Sequence, residues 1–170
     1  MIYDLPHTFV IALFLGLLAL AAINDIAEFK IPNRICIAIA ALYPIHVLAA
    51  PQSIDWLGGL AVGGAALACG IVLFVLRAMG GGDIKLIAVT ALWAGPGAII
   101  DFVVFSCLAG GVMSLIMLSP MRYSLAMVFD RTGDEGSRDA LLGAVLPYGV
   151  AIAIGGFVVG AYLLGNGRMV

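Results

Sequence analysis

A helix that crosses about 30 Å of hydrocarbon needs about 20 consecutive apolar residues, and this chain supplies apolar runs from one end to the other. They read as Thr8–Asp25, Ile35–Ala50 (ended by Pro51), Ile54–Leu76, Ile84–Trp93, Ala98–Leu118 (ended by Pro120) and Ala140–Leu164. Only 11% of the 170 residues are charged, against about 25% in a soluble domain. A lipid-facing surface needs no charge, so the bilayer is the expected solvent. The predicted fold class is all-α and integral to the membrane: one domain over 1–170, a bundle of six transmembrane helices. The fourth run is the shortest, only about 16 Å of helix at about 1.5 Å per residue, and the Gly95-Pro96-Gly97 breaker stops it.

The basic residues orient the bundle. Lys30 and Arg34 follow the first run, Arg77 and Lys85 the third, and Arg122, Arg131 and Arg138 the fifth. If all six runs cross, seven of the eight basic residues fall on one side; Arg168 is the eighth. Positive loops stay in the cytoplasm. The expected cytoplasmic loops are about 26–34, 77–84 and 120–139, and both termini are extracytoplasmic. The opening MIYDLPHT has no Lys or Arg, unlike the positive start of a signal peptide. A net charge of −2 points to no nucleic-acid partner. Cys36, Cys69 and Cys107 form no CxxC pair and read as packing residues, with no metal or cofactor expected. Gly59-x-x-x-Gly63 and Gly156-x-x-x-Gly160 read as close helix contacts.

Ionisable side chains near membrane helices are costly and default to functional candidates. Topology sorts the acids. Asp25 ends the first helix and Asp83 begins the fourth, both on the cytoplasmic side; Asp55 and Asp101 belong to the outer edge, as do His7 and His46. Each inner aspartate has an ordinary reading: Asp25 as an interfacial residue paired with Lys30 or Arg34, Asp83 as the N-cap of helix four after glycines that end helix three. Taken together they suggest chemistry. Two carboxylates held close do not both ionise readily, so a shared proton lets one act as base and the other as acid on a water between them. That is the chemistry of an aspartyl protease.

Gly80-Gly81-Gly82-Asp83 resembles the GxGD motif of membrane aspartyl proteases, and the following Ile84-Lys85-Leu86 resembles the type IV prepilin peptidases (peptidase A24 family) in particular. Asp25 with Ile31-Pro32-Asn33 is similar to that family's other catalytic segment, and Pro147-Tyr148-Gly149 to its last-helix motif. The short length resembles the CpaA/TadV-type peptidases of Flp pilus systems. Longer members carry an extra cytoplasmic segment, often with paired CxxC motifs, and are associated with N-methylation, which is not expected here. The usual arginine after the first aspartate is replaced by Ala27-Glu28-Phe29-Lys30.

The resemblance implies an inner-membrane aspartic endopeptidase that removes the leader of a type IV (Flp-type) prepilin or pseudopilin at the cytoplasmic face. Asp25 and Asp83 would be catalytic, with Gly80, Gly82, Lys85, Pro32, Asn33, Pro147, Tyr148 and Gly149 supporting. The alternative is a small transporter or pilus-assembly subunit that uses the carboxylates as a proton or cation site.

Overall fold

The computed structural model describes residues 5–51, 53–119 and 146–166. Among them stand five helices and no strand: α1 (Leu5–Glu28), α2 (Asn33–Ala49), α3 (Trp56–Val75), α4 (Gly81–Leu118) and α5 (Tyr148–Asn166). All but α2 are long and apolar enough to cross a bilayer. The expected loop 120–139 lies outside the described residues.

Local chemistry sets the helix ends. α1 closes at Phe29, whose positive φ of 51° turns the chain out of the helix while its N–H donates to the Asp25 carbonyl at 3.1 Å. α2 stops at Ala49 because Ala50, which precedes Pro51, is driven into the extended region (ψ 136°). Asp55 caps α3, its Oδ1 accepting the Gly58 N–H at 2.8 Å. The end of α3 differs from expectation. The left-handed residue there is Arg77 (φ 56°) and not a glycine. Its N–H and that of Ala78 close back onto Phe74 and Leu73 in a Schellman pattern, which frees the glycines to begin α4.

The number of helices is also corrected. Five stand where six runs were read, because no loop separates the fourth run from the fifth. Only Gly95 leaves helical geometry (φ 54°, ψ −170°), a conformation open to glycine and not to residues with a Cβ. Pro96 then opens the next stretch, where its missing N–H is no loss. The two limbs nevertheless run in opposite directions. Along α5, Gly156 meets Thr90 of the first limb and Tyr162 meets Gly97 at the turn, whereas Gly155 meets Phe102 and Ala151 meets Gly110 of the second. Along limb one, rising residue numbers approach later positions of α5; along limb two they return to earlier ones.

Packing closes α1, α2, α4 and α5 into a circuit: α1 on α2 and α5, α4 on α2 and α5, with α3 added outside against α4. Phe14 of α1 and Trp93 of α4 stack across the middle (centroids 4.2 Å apart, planes 7°), and the Trp93 indole N–H donates to the Ile39 carbonyl of α2 at 3.1 Å. The small residues of α3 serve its contact with α4: a methyl group at Gly63 would stand 2.9 Å from the Leu92 side chain. Gly156 and Gly160 do the same for α5 against Leu18 and Leu15 of α1. Of the cysteines, only Cys36 is a packing residue. Cys69 and Cys107 lie on exposed helix faces, which in this chain are apolar and suited to lipid.

Candidate active site

Each helix of the circuit brings a polar group to the end where α1 finishes and α4 begins. Asp25 sits in the last turn of α1 and is 5% exposed. This is an unfavourable place for an acid, because the carbonyl end of a helix carries partial negative charge. A donor offsets this. The Gly149 N–H, in the first turn of α5, has no partner within its own helix and donates to Asp25 Oδ2 at 2.6 Å. The fit depends on glycine: a Cβ at 149 would lie 2.7 Å from Oδ2 and 2.9 Å from the Asp25 Cβ. Pro147 is buried just before this turn, and its carbonyl accepts the Val150 N–H at 3.2 Å. Tyr148 is exposed.

Asp83 has the opposite setting. It is not the cap of α4; Gly80 is. Asp83 lies three residues inside, in the first turn, where the helix dipole favours a carboxylate. Its side chain reaches back to accept the Gly80 backbone N–H, half of a capping box. It is half-buried, and the Asp25 carboxylate is near enough to act on it electrostatically. Gly82 lets the chain pass close to the α1–α2 link, since a Cβ there would lie 3.3 Å from that of Ile31. Pro32 then caps α2 in an extended conformation, and the exposed Asn33 begins the helix.

Among the described residues Lys85 does not take an aspartate as its hydrogen-bond partner. Its ammonium donates to Asn33 Oδ1 at 2.9 Å, tying the start of α2 to the start of α4. Sequence reasoning placed both residues at the site but did not pair them, since 52 positions separate them. Asp55 and Asp101 stay apart, as expected: Asp55 caps α3 at the other end, and Asp101 is exposed on the second limb of α4. Among the described residues no three metal-ligating side chains stand together.

At the opposite end the circuit is filled by rings. His7 of α1 stacks on His46 of α2 (4.9 Å), which stacks on Trp93 (4.7 Å), with the Tyr43 ring edge-on to the indole at 5.9 Å. Both histidines are buried. Position along the chain sent them to that end; their contact with each other had no local signal.

Comparison with known proteins bears on this geometry. Residues 12–115 match the type IV leader peptidase family, a stretch that contains both aspartates. The prepilin leader peptidase/N-methyltransferase of Bacillus subtilis (strain 168) is 32% identical over 155 residues, 90% of this chain and 54% of that protein. This chain thus spans about half the length of that curated relative. No solved structure matches it.

Proposed function

The chain belongs to the type IV leader peptidase family, and from that premise we propose that it is an aspartic endopeptidase of the bacterial inner membrane, with Asp25 and Asp83 as its catalytic pair. Its substrate is the leader of a type IV prepilin or pseudopilin, of the Flp type, cut at the cytoplasmic face. The observation that carries this reading is the meeting of two carboxylates, 58 positions apart in sequence, at one end of an otherwise apolar bundle.

The ionised member of the pair takes a proton from water as the water oxygen bonds to the scissile carbonyl carbon. The protonated member hydrogen-bonds the carbonyl oxygen. Collapse of the tetrahedral intermediate breaks the C–N bond, and the departing nitrogen takes up the proton. The Gly149 N–H holds one oxygen of Asp25, so that carboxylate is positioned before substrate arrives. Charge supports this reading: among the described residues Lys30, Arg34, Arg77 and Lys85 all stand at the end that carries Asp25 and Asp83, and positive segments favour the cytoplasmic side.

Co-expression with a Flp-type prepilin tests the proposal by the appearance of the shortened pilin on a gel. Asp25→Asn and Asp83→Asn should each abolish it while the protein still accumulates in the membrane. Full processing by either variant would remove the two-aspartate mechanism. Processing of unrelated membrane proteins, but no prepilin, would keep the mechanism and discard the substrate.

A further inference from the structure

The end of the bundle opposite the aspartates holds a cavity of about 370 Å³, within the size range of small-ligand sites. Its walls are aromatic: Tyr43, Trp93, Tyr162 and the stacked His7 and His46. Its polar groups include one carboxylate, that of Asp55, and the hydroxyls of Ser53, Tyr43 and Tyr162. Asp55 lines it, and only one of the several lone pairs of that carboxylate is engaged by the Gly58 N–H. Asp55 is also near enough to Tyr43 to act on it electrostatically. His46 is 1% exposed and is enclosed between the rings of His7 and Trp93.

These features select a ligand class. No Lys or Arg lines the cavity, so an anion finds no counter-charge. The two imidazoles are stacked within 20° of parallel; their ring nitrogens therefore lie side by side and do not converge on a metal ion. A compact cation bearing several N–H donors suits this lining. The aromatic wall suits it, the Asp55 carboxylate neutralises it, and the hydroxyl oxygens of Ser53, Tyr43 and Tyr162 can accept its remaining hydrogens. We propose that this cavity is a binding site for a primary ammonium group, carried by an ethanolamine lipid headgroup or by a small free amine.

Trp93 reports on the site directly, because its indole forms part of the wall. The full chain carrying Trp56→Phe, which leaves Trp93 as the sole tryptophan, is reconstituted in vesicles of phosphatidylglycerol alone. Ethanolamine is titrated in one arm, and phosphatidylethanolamine is mixed into the vesicles in the other. A saturable change in Trp93 emission is expected. A change with ethanolamine assigns the site to the free ammonium group, and a change only with the lipid assigns it to the headgroup. Asp55→Asn keeps a good cap for α3 but removes the charge, and should weaken binding by about tenfold. The proposal is overturned if neither amine source gives a saturable change, if uncharged N-acetylethanolamine acts as well, or if Asp55→Asn binds unchanged.

Discussion

The same four helices build both ends of the bundle, and the two ends are made for opposite purposes. At one end His7, His46, Trp93 and Phe14 form a continuous stack, and the Trp93 indole is satisfied by the Ile39 carbonyl. At the other, a buried acid occupies the unfavourable end of α1 and a second acid stands near it; Asp25 relies on a backbone N–H at the start of α5 and Asp83 on one at the start of its own helix. Burying such groups costs stability. The aromatic end contributes packing that offsets part of this cost. A chain optimised for packing alone would have no reason to place an acid at position 25.

The sharpest way to break this contrast is to remove one carboxylate from each end. Asp25→Asn should eliminate leader cleavage, read as the processed pilin band, whereas Asp55→Asn should leave it within about twofold, because an asparagine still caps α3. Equal loss in both variants would mean that the two ends are not functionally distinct.

Next in size is the glycine that seats Asp25. Gly149→Ala places a methyl group 2.7 Å from the carboxylate oxygen, so the acid or the start of α5 must move. A displacement of this scale at a reacting group costs about a hundredfold in rate. The expected result is a kcat loss of that order with little change in KM. Gly156→Ala on the same helix meets Leu18 instead, at 2.5 Å. It should cost about 1–3 kcal/mol of stability by overpacking while the activity of the folded fraction is retained. Similar kcat losses in both would reduce Gly149 to a packing residue.

Trp93→Ala probes the other end. Losing an indole stacked on two neighbours leaves a cavity and should cost about 3–5 kcal/mol of stability, measured by denaturation in detergent micelles. The folded fraction should still cleave leader peptides. A full loss of activity below the unfolding transition would show that the aromatic stack governs the carboxylates directly.

The two ends were also unequally legible. The acids could be found because a charge inside an apolar run is conspicuous, and because Gly80, Gly82, Asp83, Lys85 and Pro147-Tyr148-Gly149 carry a recognisable pattern. Their partners were not legible: nothing local shows that the Gly149 N–H reaches Asp25 across 124 positions. The aromatic end had no pattern at all. His7, His46 and Trp93 come from three helices, and only tertiary packing stacks them. The Gly95-Pro96-Gly97 break was visible, but its shape was not, since a glycine that reverses the chain without a loop has the same sequence as one that begins a loop. Arg77 was hidden by the three glycines beside it, which are better left-handed candidates by propensity; the hydrogen bonds of α3 chose the arginine.

The smallest effect sharpens the role of the Lys85–Asn33 link. Both groups are exposed at the acidic end and are joined at 2.9 Å, so their hydrogen bond contributes little to global stability, about 1 kcal/mol. Its value lies in place. It ties the first turn of α4, which carries Asp83, to α2, whose first residue follows the link that passes beside Gly82. Asn33→Ala should therefore slow cleavage by about fivefold, a fraction of what a lost carboxylate costs, with the melting transition nearly unchanged. Lys85→Met removes the same bond and the charge as well. If the bond is the whole contribution, the two single variants and the double variant should be equally slow, because the second substitution has nothing left to remove. If Lys85→Met is slower than Asn33→Ala, and the double variant matches Lys85→Met, the ammonium has a second task that Asn33 does not share. The difference between the two single variants then measures that task.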